Sequence, residues 1–137
     1  MEEELCEYLT QEGITWEVLP LTRYAALIDE WRSIYGRVWT DGLRHKHGYR
    51  AQYEYEQQRA AVFCVAFLES NSGVPTITAR RRHTTGYECH GPGRLPDLSA
   101  FCSLEFFVSP PDLSWTMVHT HEDHGYGGPY FVQKEWV

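Results

Sequence analysis

The sequence has no apolar segment approaching the roughly 18 to 20 residues that a membrane-spanning helix requires. It also lacks the basic start of a secretory leader, because Met1 is followed by consecutive glutamates. Its cysteines are too scattered to form a C-x-x-C motif. They are Cys6, Cys64, Cys89 and Cys102. These absences predict a cytoplasmic protein whose thiols are free.

Common catalytic and cofactor-binding fingerprints are missing as well. The chain contains no G-x-S-x-G nucleophile motif, no phosphate-binding P-loop and no G-x-G-x-x-G dinucleotide motif. We therefore expect no organic cofactor and favour a non-enzyme. A zinc ion remains possible, because histidine and cysteine are its usual ligands. Cys89, His90 and Cys102 are one irregularly spaced set of candidate ligands.

Charge is unevenly distributed along the chain, whose net charge is −7. Residues 1–36 carry eight acidic and two basic side chains, which predicts an acidic surface suited to a basic protein partner. Overall acidity argues against a dedicated nucleic-acid binder, because phosphate contacts need a basic face. A local nucleic-acid-binding patch remains an alternative in two basic segments, Arg44–Arg59 and Arg80–His83. In the first segment, Tyr53 and Tyr55 would provide stacking rings.

Length and composition predict one domain over residues 1–137, because 137 residues with 42% hydrophobic side chains can bury a real core. Apolar side chains recur at helical spacing in three segments. The predicted helices are Glu2–Glu12, ended by Gly13, Thr22–Tyr35, capped by Thr22, and 49–60.

Strand-like segments dominate the second half. The predicted strands are Ile14–Leu19, Ala61–Glu69, Thr76–Arg80, Phe101–Val108, Trp115–Thr120 and Tyr130–Gln133. Gly86–Pro96 is so rich in glycine and proline that we predict a long loop. Early helices followed by hairpins predict an α+β domain with a mainly antiparallel sheet of about five or six strands and two or three helices packed on one face.

The densest chemistry lies in the segment His119–His124, which has three histidines and two carboxylates directly after a predicted strand. If a metal is bound, its ligands are His119, His121 and His124. If the protein is an enzyme, His121, Glu122 and Asp123 are the candidates for metal-assisted or general acid/base hydrolysis. The simpler interpretation is one buried histidine and a solvated turn.

The string H-T-H-E-D-H in this segment resembles the H-x-H-x-D-H signature of the metallo-β-lactamase superfamily. That superfamily completes its metal sites with histidine and aspartate ligands far downstream of the signature. Residues 125–137 contain no His, Asp or Cys. The resemblance is therefore local to the signature.

Three short motifs near the C-terminus occur in the order and spacing of another pattern. They are Ser114-Trp115-Thr116, Thr120-His121-Glu122 and Gly128-Pro129-Tyr130-Phe131. Together they resemble the C-terminal pattern S-W-T … T-H-E … G-P-Y-F of an uncharacterised bacterial family of about the same length, a domain of unknown function. The resemblance covers about the last 30 residues. It implies a bacterial source and that family's fold, and it brings no established activity.

The sequence favours a small non-catalytic protein-binding module of the immunity or inhibitor type. Its abundant Trp and Tyr and its carboxylates fit an interface with a cationic partner. The candidate binding residues are Trp115, Thr120, His121, Glu122 and Tyr130. The alternative is a hydrolase that uses the segment His119–His124.

Overall fold

A computed structural model describes residues 2–36, 48–65, 67–68, 75–76, 86–95, 106–119 and 130–137. Its helices there are α1 (Glu2–Gln11), α2 (Leu21–Trp31) and α3 (Gly48–Gln58), and a π-helical turn, Arg32–Gly36, continues α2. Its strands there are β1 (Thr15–Val18), β2 (Ala60–Val65), β3 (Phe67–Leu68), β4 (Pro75–Thr76), β5 (Gly86–His90), β6 (Phe106–Ser109), β7 (Trp115–His119) and β8 (Tyr130–Gln133). No helix in these ranges is long and apolar enough to cross a membrane.

The strands form one antiparallel sheet in the order β1-β5-β2-β6-β7-β8, beside a separate pair made of β3 and β4. Strands β6 and β7 are neighbours in sequence and pair directly, with Phe107 opposite Val118. Strand β8 adds to β7 at one edge, and β1 lies at the other. The predicted α+β fold with a mainly antiparallel sheet is confirmed.

The helices cover both faces of the sheet, whereas the sequence predicted them on one face. Helices α1 and α3 pack on the face that we call the α1/α3 face, and α2 packs on the opposite α2 face. The α1/α3 face buries Leu5, Leu9, Tyr55, Phe106, Val108 and Met117. The α2 face buries Tyr24, Ile28, Trp31, Val62, Phe107 and Val118. The difference arises because helical periodicity shows that a helix has an apolar side but not which face of the sheet receives it.

Among the residues that the structure describes, Trp31 is the largest fully buried side chain, and it joins α2 to the centre of the sheet. Its indole ring stacks on Phe107 with ring centroids 4.9 Å apart. Its Nε1 donates a 2.8 Å hydrogen bond to Oγ1 of Thr116, which is only 1% exposed. Since a buried indole N–H without a partner would cost about 1–3 kcal/mol, Thr116 is a necessary polar residue in an apolar strand.

Strand β5 occupies residues for which the sequence predicted a loop. It lies between β1 and β2, and both neighbours pair with it along its length. A Cβ atom at Gly86 would lie 2.7 Å from Cδ1 of Leu19 and 2.8 Å from Cδ1 of Tyr24. Glycine is therefore favoured at this first residue of β5, because a Cβ atom there would clash with the side chains of Leu19 and Tyr24.

Residues 91–95, which we call the strap, fasten the end of β5 to both helices of the α1/α3 face. Tyr55 Oη donates a 2.6 Å hydrogen bond to the Gly91 carbonyl. The Leu95 N–H donates to Oε1 of Gln52 at 2.7 Å, and Tyr8 Oη donates to the Leu95 carbonyl at 3.2 Å. The glycine- and proline-rich strap is thus an ordered structural connection.

Helix α2 begins one residue earlier than the predicted cap. Its first residue is Leu21, and Pro20 precedes it with φ −55° and no side-chain capping bond. Thr22 lies within the first turn and does not cap the helix. The Pro20 carbonyl accepts the first hydrogen bond of the helix, from the Tyr24 N–H at 2.9 Å.

We predict that Arg59→Gly stabilises the protein by about 1 kcal/mol. Arg59 is exposed, follows α3 and has φ 56°, a left-handed conformation that glycine adopts without a Cβ clash. As a control, Gln57→Gly inside α3 should destabilise by about 1 kcal/mol. Urea unfolding of both variants measures the two changes. If Arg59→Gly also lowers the free energy of unfolding, the strain assigned to this helix end is absent.

Candidate functional site

Strand β1 is the strand whose described side chains are most open to solvent. Thr15, Glu17 and Val18 are exposed, Val18 by 58%, and Trp16 is half-buried. On the opposite edge of the sheet, the β8 residues Tyr130–Val132 are buried. The two edges therefore differ, and within the described residues β1 is paired on one side only.

The register of β1 fixes which backbone groups point away from the sheet. The Leu19 N–H donates to the Gly86 carbonyl at 2.8 Å, and Glu17 pairs with Glu88 in the same antiparallel register. Because hydrogen-bonded pairs alternate along an antiparallel ladder, Thr15 and Glu17 bond to β5. The N–H and C=O groups of Trp16 and Val18 consequently point outward, to the side on which no described strand pairs with β1.

A shallow groove of about 280 Å³ runs between α1 and this edge. It is lined by Cys6, Glu7, Thr10, Gln11 and Trp16, and its surface is mainly apolar; we call it the α1–β1 groove. Trp16 Nε1 donates a 3.0 Å hydrogen bond to Thr10 Oγ1, which itself donates to the Cys6 carbonyl at 2.9 Å. Trp16 also packs edge-on against Tyr87 at 5.8 Å, so its indole forms a fixed wall.

Carboxylates lie on both sides of the β1 edge. Glu4 and Glu7 are exposed on α1, and Glu17 is exposed on β1 toward the α2 face. Glu88, opposite Glu17, is different because Arg23 binds its carboxylate. The hydrogen bond from Arg23 is the main reason that the pKa of Glu88 lies below its usual value, and His90, 3.4 Å away, adds to it.

The predicted histidine site falls mostly outside the described residues. His119 is the last residue of β7, and its backbone lies opposite Phe106. Residues 120–124, which include His121, Glu122, Asp123 and His124, are outside the described ranges. In the described ranges no group of at least three His, Cys, Asp or Glu side chains is arranged to hold a metal ion. The metal and hydrolase hypotheses stay predictions.

Trp115 and Tyr130, two predicted binding residues, lie in the core on opposite faces of the sheet. Trp115 is 3% exposed on the α1/α3 face, where its ring centroid is 5.7 Å from that of Phe131. Tyr130 is 4% exposed on the α2 face. The fold does not bring them together, and neither side chain belongs to an open surface.

The predicted nucleic-acid patch is described only in its α3 part. Arg50 forms an ion pair with Glu54 at 3.1 Å and lies 5.3 Å from the centre of the Tyr53 ring. Tyr55 is fully buried, and burial raises its pKa to about 12. Tyr55 is therefore a core residue and cannot stack on a base, whereas Tyr53 is 55% exposed. Residues 80–83 lie outside the described ranges.

The proposed cysteine–histidine zinc set is likewise only partly described. Cys89 is a free, fully buried thiol, and burial, followed by nearby Cys6 and Glu88, raises its pKa to about 12. The Cys89 thiol therefore lies in the core of the α1/α3 face. His90 is directed to Glu88, and Cys102 lies outside the described residues.

No protein-family model, curated protein or solved structure matches the chain.

We predict that iodoacetamide modifies Cys6 at least about tenfold faster than Cys89 in the native protein, because the thiolate is the reactive form and Cys89 is buried and protonated. Peptide mapping by mass spectrometry reports each cysteine separately. Cys6→Ser should remove the fast site, and denaturant should expose Cys89. Equal native rates for Cys6 and Cys89 would contradict the burial of Cys89.

Arg23→Met should lower the free energy of unfolding by about 0.5 kcal/mol at neutral pH, the usual size for a solvent-exposed ion pair. Because the folded-state pKa of Glu88 is lowered, its stabilisation is present above the unfolded-state pKa. It is lost as the pH falls through the folded-state pKa, so the effect should vanish in strong acid. In a Glu88→Gln background, Arg23→Met should cost nothing further. An unchanged cost there would assign the effect to another contact.

Proposed function

We propose that this chain is a non-catalytic protein-binding module of the immunity or inhibitor type, which binds a partner with a basic surface. We also propose that the protein is bacterial and cytoplasmic. We propose further that it belongs to the uncharacterised family whose C-terminal pattern its motifs resemble. The observation that carries the binding function is the exposed β1 edge, with a mainly apolar groove beside it and carboxylates on both sides.

The composition of the β1 side supports binding over catalysis. The groove has Glu7 and Cys6 as its titratable lining residues, and its indole wall is fixed by the Trp16–Thr10 hydrogen bond. An apolar surface with an acidic rim resembles the centre and rim of a protein interface. The neighbouring carboxylate Glu88 is held by Arg23, so it is occupied as an ion-pair partner.

Electrostatics supports a cationic partner. Exposed Glu4 and Glu7 on α1, together with Glu17, give this side of the molecule an uncompensated negative charge among the described residues. Complementary charge speeds association and excludes acidic partners. Charge complementarity adds most to specificity, and the groove offers a place for one apolar side chain of the partner.

We predict that a Glu4→Lys/Glu7→Lys variant loses a basic partner that the unmodified protein captures from a lysate of the source cells. Quantitative mass spectrometry should show at least about tenfold weaker recovery, which corresponds to about 1.4 kcal/mol. The matched control is Asp29→Lys/Glu30→Lys, which makes the same charge change at exposed positions on α2. It should retain the partner.

Equal loss in both variants would assign the capture to general charge attraction and contradict a site on the α1 side. Recovery of an acidic partner, unaffected by the α1 changes, would contradict the proposed chemistry. Circular dichroism and thermal unfolding confirm that both charge variants remain folded.

A further inference from the structure

The β1 edge offers backbone hydrogen-bonding groups as well as side chains. The N–H and C=O groups of Trp16 and Val18 point outward, while Thr15 and Glu17 are bonded to β5. An open strand of this kind is a template for another strand, and proteins normally shorten, cover or charge such edges. The buried β8 edge follows that rule by being covered, and β1 follows it with Glu17.

Glu17 determines which strand the edge can accept. If two copies paired antiparallel about Glu17, the two Glu17 side chains would lie directly opposite each other, which is destabilising. The adjacent carboxylate of Glu88 already has Arg23 as a partner, so within the described residues Glu17 has no cation of its own. A Lys or Arg opposite Glu17 would supply one.

The α1–β1 groove determines which side chain suits the neighbouring position of an added strand. Side chains of a strand point to opposite faces in turn, so a strand added beyond β1 would direct one side chain toward Glu17 and the next toward the α1 side. On that side lie Trp16 and the groove lining. The groove's mainly apolar surface suits an apolar side chain.

We propose that the β1 edge binds an extended segment of a partner protein by strand addition, with a basic side chain opposite Glu17 and an apolar side chain in the α1–β1 groove. This inference rests on the proposed binding function and specifies its mode. Main-chain bonds to Trp16 and Val18 supply affinity, and the two side-chain positions supply specificity, as in other cases of strand addition.

The first test selects ligands from a phage-displayed library of random short peptides, using the purified full chain. The expected consensus alternates Lys or Arg with apolar residues. A Glu17→Lys variant should select Asp or Glu at the position where the unmodified protein selects a basic residue. Selection of helix-type spacing, of acidic peptides by the unmodified protein, or of no peptide at all would overturn the proposal.

The second test removes one outward backbone donor. Val18→Pro eliminates an N–H that points to the free edge and leaves the β1–β5 hydrogen bonds in place, which is the position where an edge strand tolerates proline. Affinity for the selected peptide should fall at least about fivefold, as expected for one lost hydrogen bond. Val18→Ala keeps the N–H and loses only side-chain atoms, so it should bind the peptide at least about fivefold more tightly than Val18→Pro.

Thermal unfolding checks that Val18→Pro is folded, and if it is not, the Glu17→Lys selection decides the question. Unchanged peptide affinity in folded Val18→Pro overturns strand addition. If the lysate partner is lost in Glu4→Lys/Glu7→Lys but fully retained in Val18→Pro, the binding function stands and this mode fails. A concentration-dependent dimer abolished by Val18→Pro would assign the edge to a second copy and also overturn the proposal.

Discussion

The structure depends on one constraint: the middle of the sheet is buried on both faces. With α1 and α3 on one face and α2 on the other, the successive residues Phe106–Ser109 of β6 and Trp115–Val118 of β7 are all buried. This explains the apolar run Phe106–Val108 and the need for Trp31 to bond Thr116 where a polar group does occur. Among the described strands, β1 is the one that the helices cover least. Its polar side chains, Thr15 and Glu17, are exposed and alternate with Trp16, which is half-buried.

Much of the architecture could be predicted from the sequence, because the spacing of apolar residues and the turn residues within short segments indicate it. The helix ending before Gly13, the polar helix of residues 49–60 and the β6–β7 hairpin around Pro110 all carry signals within a few residues. Strand β5 could not be predicted in this way. It is five residues long, bounded by glycines, and is specified by β1 and β2 on either side, which are distant in sequence.

The candidate site, too, could be predicted only in the part that depends on residues close in sequence. The alternation Thr15-Trp16-Glu17-Val18 already indicates a strand with one polar side. Nothing in those residues shows that the strand is an edge, since this requires the whole strand order. Histidines, in contrast, are visible in a sequence as a residue type with its own chemistry. An open backbone edge has no residue type of its own and becomes visible only in the folded chain.

The pairing of β1 with β5 has a consequence for the order of folding. Thr15 bonds to His90, a contact across 75 residues, so the first strand has no partner when it leaves the ribosome. Closing so large a loop is entropically costly and slow, and it must precede any consolidation of β1 in the sheet. Strand β1 is therefore synthesised early but joins the sheet late. During that interval β1 is unpaired on both sides, and Glu17 is its one charged residue.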